Sequence, residues 1–171
     1  KQNHIFHLRT LDSLKIDLSI ILPTLNEVES VPVTLSVLEK LLQGVAFELI
    51  VVDDDSSDGT WQKVLEISRN DPKIRLVRRV HRKGLSTAIM EGFMAAKGQK
   101  LLVADADLQH DLSIIPKMLE ASEDHDLVVG SRYLEQSRIS GWSSGRQSLS
   151  IYGTRFACSL IKHKVSDPLS G

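Results

Sequence analysis

A chain of 171 residues that is 42% hydrophobic and 25% charged has the composition of an ordinary globular fold with a sizeable core, neither disordered nor fibrous. Its longest apolar runs, such as Leu49–Val52 and Leu101–Ala104, are four residues, far short of the roughly 18–20 that span a bilayer, so no transmembrane helix is expected within it. The net charge of −1 hides an asymmetry: residues 1–135 carry 16 Lys and Arg against 21 Asp and Glu, whereas 136–171 carry five against the single Asp167.

A basic end of this kind is usually a solvated face, but it is also how proteins meet phosphates or an anionic membrane surface. The lone cysteine, Cys158, excludes an internal disulfide and a cysteine-rich metal site and fits a reducing, cytosol-facing compartment. The start at Lys1 and the stop after Ser-Asp-Pro-Leu-Ser-Gly suggest an excerpt of a longer chain.

In chain order, Leu18–Leu22 is short, rich in β-branched residues and closed by Pro23, which predicts a buried strand. A helix follows with Ser30 as its cap, Pro32 in its first turn, Val31, Leu35, Leu38 and Leu42 on one face, and Gly44 at its end. Phe47–Val52 reads as the second strand, broken by the turn-rich segment Asp53–Gly59. Thr60–Arg69 reads as helix, Ile74–Val77 as strand, Leu85–Ala96 as a helix between Gly84 and Gly98, and Leu101–Ala104 as a fourth strand. Helix Ser113–Ala121 and strand Leu127–Val129 complete the pattern, and Gln136–Gly145, rich in serine and glycine, reads as a loop.

Alternating strands and helices predict an α/β fold of parallel βαβ units, a mostly parallel central sheet with helices on both faces. Ligands of such folds bind beyond the carboxyl ends of the strands. Those ends are Pro23–Glu27, Asp53–Asp55, Asp105–His110 and Gly130–Arg132. Acidic clusters converging on one rim would repel each other, and a divalent cation is the simplest compensation. Asp105 and Asp107, two apart at the mouth of an apolar strand, with Gln109 two further on, offer hard oxygen ligands suited to Mg²⁺ or Mn²⁺. They come too early to cap the next helix, a task for Asp111 or Ser113, as Asp58 is placed to do before Thr60. Asp53 and Asp54 can accept hydrogen bonds from a base N–H or a ribose, or form Asx turns; for Asp55, Ser56 and Ser57 the turn is the better reading.

Six blocks, Pro23–Glu27, Val51–Thr60, Arg82–Ala88, Asp105–His110, Gly130–Tyr133 and Ser166–Gly171, together resemble family 2 glycosyltransferases with the nucleotide-sugar-binding GT-A fold, and within them the polyprenyl-phosphate group. The resemblance runs from about Leu18 to Gly171 and implies a single GT-A catalytic domain over 1–171, cut short at its C-terminal end. It implies inverting transfer of a sugar from a nucleoside diphosphate to a polyprenyl or dolichyl phosphate, with mannose from GDP-mannose as the favoured donor. By the same resemblance Pro23, Glu27, Val52 and Asp54 hold the nucleoside; Asp105, Ala106 and Asp107 the sugar diphosphate; and Asp107, Asp105 and Gln109 the metal. Asp107 and Arg132 are the catalytic pair it implies, Arg132 meeting the phosphates of donor and acceptor, and the pattern Arg146 to Ser150 is similar to the family's acceptor-phosphate motif. Where the family usually carries a tyrosine in the first block, this chain has Leu25.

Displacing a nucleoside diphosphate needs stabilisation of the charge growing on the leaving phosphate, while a phosphate monoester is already ionised near pH 7 and needs no strong base. Alignment and charge stabilisation are therefore expected to carry catalysis. The expected location is the cytoplasmic face of a membrane, with the membrane surface as a partner and no nucleic acid. A helix at Ser148–Lys162, mixing Arg155 and Lys162 with Ile151, Tyr152, Phe156 and Leu160, would lie near anionic headgroups or pack on the sheet with its basic tips in water. Two rivals stand beside this reading: the same fold with UDP-glucose or another donor and acceptor pair, and a receiver-like signalling domain, suggested by the aspartates after Val52.

Overall fold

The computed structural model describes residues 15–130, which fall into two compact units divided after Ser113. Among the described residues, the first unit holds a four-stranded parallel sheet built from β1 (Leu18–Thr24), β2 (Phe47–Asp53), β3 (Ile74–Arg78) and β4 (Lys100–Val103), in the spatial order β3-β2-β1-β4. Helices α1 (Ser30–Leu41), α2 (Thr60–Ser68) and α3 (Leu85–Ala95) fill the connections. The chain steps from β1 to β2 to β3 in one direction and then crosses back to place β4 on the far side of β1. Right-handed crossovers then put α1 and α2 on one face and α3 on the other. Accordingly α1 packs on α2, and α3 packs on β1 and β2. The winding reverses between β1 and β4, the position at which open α/β sheets open a crevice at their carboxyl edge.

Strand composition follows from this burial. β2 is covered along its whole length and β1 along nearly all of it, so their centres, Ile20–Leu22 and Leu49–Val52, read as continuous apolar runs rather than alternating ones. Ile21, Ile50 and Val52 form one core cluster with Ala88 of α3, joined by Val77, Phe93 and Val103. The close approach of α3 to β1 requires Gly92, because a Cβ there would sit 2.4 Å from Ile21 Cγ2. At the amino ends of the strands, the fully buried Glu48 accepts hydrogen bonds from Ser19 Oγ (2.7 Å), Arg75 (2.6 Å) and the Lys97 N–H (2.6 Å). Burial pushes the Glu48 carboxyl up, yet these donors outweigh it and hold it below the usual carboxylate range.

The predicted elements of the first unit are present with shifted ends. β1 runs on through Pro23 to Thr24 rather than closing at the proline. The Ile21 carbonyl faces β4 and the Thr24 carbonyl faces β2, so alternation turns Pro23 toward β4. The last β1–β4 pair is Ile21 with Val103, so the missing N–H costs no ladder bond. Ser30 does not cap α1: it is the first helical residue, and its hydroxyl donates instead to the carboxylate and carbonyl of Glu27.

In the second unit the expected helix from Ser113 is a 3₁₀ turn at Leu112–Ile114, which begins in the first unit, followed by α4 (Ile115–Ala121). Pro116 lies in the first turn of α4, and its carboxyl end is closed by Ser122, whose hydroxyl donates to the Leu119 carbonyl. The strand expected at Leu127–Val129 does not form; Leu127 is 80% exposed and the segment pairs with no strand. Among the described residues no helix is long and apolar enough to cross a membrane.

Candidate functional site

The carboxyl ends of β1 and β2 are locked together by the two loops that leave them. Thr24 Oγ1 donates to Asp53, the Asp54 N–H to the Thr24 carbonyl, the Asn26 N–H to Ser56 Oγ (2.8 Å), the Glu27 N–H to Thr60 Oγ1 (2.8 Å) and the Val28 N–H to Asp58 (3.0 Å). In return Asn26 Oδ1 accepts the Ser57 N–H at 3.1 Å, an arrangement that needs the left-handed backbone of Asn26 (φ 59°). Asn tolerates that conformation better than most residues. The turn-rich segment after β2 therefore serves largely to hold the β1 loop. Asp58 also accepts the Thr60 N–H at 3.0 Å, but it does so from the turn before the helix: the N-cap of α2 is Gly59, which has no side-chain cap.

Asp53 takes the Asx-turn alternative: it is fully buried and accepts the Ser56 N–H and hydroxyl as well as Thr24. Asp54 is 6% exposed, and its two oxygens meet the Arg79 guanidinium and the Gly84 N–H (2.7 Å). Asp55 pairs with Arg78, which also stacks on Trp61 at 3.7 Å, and that guanidinium holds the Asp55 carboxyl below the usual range. The two adjacent arginines at the end of β3 thus neutralise two adjacent aspartates at the end of β2. Sequence reasoning misses Arg78 and Arg79; the signal was their position at a strand end, on the same rim as the carboxylates.

The end of β4 is different. Ala106 is buried, its carbonyl accepting the Thr34 hydroxyl of α1 at 2.9 Å, which fixes the Asp105–Asp107 segment to the helix beside it. Asp107 Oδ1 accepts the Gln109 N–H at 2.9 Å, closing a turn whose next residue, Leu108, has φ 60°. Asp105 is half-buried, with His110 Nε2 3.5 Å from its carboxylate as the nearby basic group. Burial pushes the Asp105 carboxyl up; His110 opposes this and Asp107 adds to it. No arginine or lysine pairs with either aspartate in the hydrogen bonds and ion pairs of the described residues.

Among the described residues no group of three or more His, Cys, Asp or Glu side chains is gathered closely enough to cage a metal. Mg²⁺ and Mn²⁺ do not need such a cage when substrate phosphates complete their shell; one or two carboxylates suffice. Two carboxylates without a strong countercharge, one of them raised by burial, fit that donor set. Gln109 enters this turn through its backbone N–H.

Of the residues expected to hold the nucleoside, Pro23 lies at the carboxyl end of β1 and Glu27 in the loop that follows, with exposed Leu25 between them. Val52 differs: its side chain is wholly in the core cluster, so it shapes the strand rather than offering surface. Asp54 is placed at the end of the neighbouring strand, engaged as described. Arg132, Arg146 and Ser150, together with the expected helix at Ser148–Lys162, lie outside the described residues.

The model of the family Glycosyl transferase family 2 matches residues 19–168. This chain belongs to that family. It is 41% identical to a dolichol-phosphate mannosyltransferase of Pyrococcus furiosus over 90% of its own length and 44% of the relative's. With the dolichol-phosphate mannosyltransferase of Saccharomyces cerevisiae it shares 35% identity over 92% of this chain and 60% of that one. The chain thus spans about half the length of these relatives. Among solved structures, glucosyl-3-phosphoglycerate synthase of Mycobacterium tuberculosis, determined with UDP, matches 91% of this chain and 55% of its own with a TM-score of 0.60 at 22% identity, a likeness of fold. The receiver-like alternative falls with this assignment: the strand and helix that precede β2 lie within the residues matched by the family 2 model.

Proposed function

We propose that this family 2 domain moves a sugar, with inversion, from a nucleoside diphosphate to the phosphate of a polyprenyl lipid such as dolichyl phosphate, with GDP-mannose as donor. The observation that carries the reading is the division of charge along the crevice. Asp55 and Asp54 after β2 are neutralised by Arg78 and Arg79 and Asp53 is taken up by Thr24 and Ser56, whereas among the described residues Asp105 has only the nearby His110 and neither it nor Asp107 pairs with an arginine or lysine. Among the described residues, the end of β4 is therefore where a diphosphate would approach together with a cation. The two mannosyltransferase relatives support mannose and a polyprenyl phosphate as the choice of sugar and acceptor; UDP-glucose is the alternative donor.

In this reading the interlocked loops hold Glu27 and the adjoining backbone against the nucleoside, and Asp54 faces it from the end of β2. Asp105 and Asp107 would hold Mg²⁺ or Mn²⁺, which supplies electrostatic stabilisation of the leaving diphosphate when bound. Arg132 is assigned to the phosphates, and Arg146 and Ser150 to the acceptor phosphate, by the family resemblance. The acceptor, a phosphate monoester with a second pKa of about 6, is its own nucleophile, so the chain's task is alignment rather than proton abstraction. The domain would work at the cytoplasmic face of a membrane, where its lipid acceptor resides.

The test is calorimetric titration of the protein with GDP-mannose and UDP-glucose, each with Mn²⁺ and with EDTA, followed by transfer assays to a short polyprenyl phosphate. Asp107→Ala should keep the melting temperature, lose Mn²⁺-dependent donor binding and abolish transfer. Donor binding that survives both EDTA and Asp107→Ala would overturn the metal assignment, and preference for UDP-glucose would replace the donor.

A further inference from the structure

Arg79 is the largest fully buried side chain of the described residues, and it is charged. Its Nη1 donates to Asp54 and to the Gly84 carbonyl (3.2 Å), its Nη2 to Thr87 Oγ1, and its Nε to Glu91 (3.2 Å). Its backbone N–H reaches the Asp53 carbonyl at 2.8 Å. Every acceptor therefore comes from the end of β2 or from the first two turns of α3 and their N-cap. Gly84 closes the circuit by donating its N–H to the second oxygen of Asp54. A planar fork with five donors can hold several acceptors in one fixed geometry, which a lysine ammonium cannot. Were stability the sole purpose, packed apolar residues would serve as well as a buried ion pair.

We propose that Arg79 is a positioning residue of the nucleotide-sugar site: without touching the donor, it fixes the Asp54 carboxylate at the end of β2 and ties it to the loop entering α3. The inference rests on the nucleotide-sugar reading given above. It makes donor affinity depend on a side chain with almost no surface, through Asp54. Arg82, which shares Glu91 with Arg79 (2.7 Å), is a peripheral member; it is 59% exposed and contributes to holding Glu91.

The experiment is a thermodynamic cycle on GDP affinity, measured with Mn²⁺ in the intact protein, using Asp54→Asn, Arg79→Lys and the double variant. Each single substitution should raise the Kd about tenfold, and the double should be no weaker than the weaker single, because residues acting through one contact are non-additive. Binding of Mn²⁺ with inorganic pyrophosphate, which reads the Asp105–Asp107 end, should stay within about twofold of the parent in Arg79→Lys, an outcome a merely structural loss would not give. Thr87→Val removes one exposed hydroxyl that holds the guanidinium; it keeps the fold and should raise the GDP Kd about threefold, so the idea remains testable if Arg79→Lys does not fold. An unchanged Kd in Arg79→Lys or, where that variant is unfolded, in Thr87→Val would overturn the positioning role, as would multiplicative effects in the double variant. Failure of the parent protein to bind either GDP or UDP would instead overturn the nucleotide-sugar reading and the positioning role with it.

Discussion

Asn26 offers the sharpest test of how the crevice is shaped, because three substitutions there separate hydrogen bonding from backbone conformation. Its Oδ1 accepts the Ser57 N–H at 3.1 Å and the Ser57 hydroxyl at 3.3 Å, and its φ is 59°. Losing these partly solvated bonds costs about 1 kcal/mol, since each is worth roughly 0.5–1.5 and the longer one adds little. Placing alanine in the left-handed region costs about 1.5 kcal/mol more. Asn26→Ala should therefore destabilise by about 2.5 kcal/mol. Asn26→Gly escapes the conformational cost but adds about 0.5 kcal/mol of chain entropy, giving about 1.5 kcal/mol. Asn26→Asp keeps an acceptor in place and should be near neutral.

For a chain of this length each kcal/mol moves the melting temperature by about 2–4 °C, so alanine should lower it by about 5–10 °C and glycine by about 3–6 °C. Thermal unfolding read by circular dichroism gives the ranking, and titration with GDP and Mn²⁺ gives its functional echo. The same order, alanine worst, then glycine, then aspartate, should appear in nucleotide affinity if the interlock shapes the crevice. Glycine at least as damaging as alanine would refute the role of the backbone conformation. Unchanged nucleotide affinity in all three would refute the link from loop interlock to binding.

Glu48→Gln should cost about 3 kcal/mol at pH 7, the low end for breaking a buried ion pair, because Arg75 is partly exposed and can turn to water. The Glu48 carboxyl is held below its unfolded value, so its stabilisation is present above about pH 4.3 and is lost as the pH falls through the folded value. Urea unfolding should show the gap to Glu48→Gln shrinking in acid; a gap independent of pH would contradict the assignment. Gly92→Ala gains about 1 kcal/mol of helix propensity, but its Cβ would meet Ile21 at 2.4 Å, so net destabilisation of about 1–2 kcal/mol is expected in the same assay. Stabilisation would mean that α3 does not lie this close to β1. Asp105→Asn should raise the melting temperature in EDTA at neutral pH while reducing the further rise on adding Mn²⁺ and GDP. The sign follows from a folded-state carboxyl raised by burial: its ionised form burdens the fold above the folded value, and the gain from Asn fades as the pH drops below the unfolded one.

β1 and β2 were legible because their central residues face a core on both sides, as in the run Leu49–Val52; β3 and β4, partly exposed at the edges of the described sheet, were legible as short apolar runs between turn residues. The helices were legible in position but not at their ends. Ser30 has the chemistry of a cap, yet Glu27, three residues back, offers its hydroxyl both a carboxylate and a carbonyl, and the helix starts around it. Leu127–Val129 has strand composition, yet it carries no strand assignment, because composition alone does not supply the backbone partners a ladder needs. At the site, the acidic residues stood out in the sequence and their division of labour did not. Asp53, Asp54 and Asp55 are consecutive in the chain, and only the fold shows that one is an internal turn acceptor while the other two meet the successive arginines Arg79 and Arg78 at the end of β3, more than 20 residues away.

That division changes the electrostatic argument for a metal. If every acidic cluster on the rim were bare, repulsion alone would ask for cations anywhere along it. With β2 compensated from β3, repulsion survives chiefly at β4, next to the point between β1 and β4 where the winding reverses. A protein that needed only to be stable could have supplied a lysine or arginine to Asp105 and Asp107 as it did to their counterparts. With no arginine or lysine paired to them among the described residues, Asp105 stays raised by burial, and on the proposed function both carboxylates would be available to an ion that arrives with a diphosphate. The same trade explains why Asp105→Asn is expected to gain stability and lose binding together: the stabilising change removes the charge that, on the proposed function, the metal and diphosphate would need.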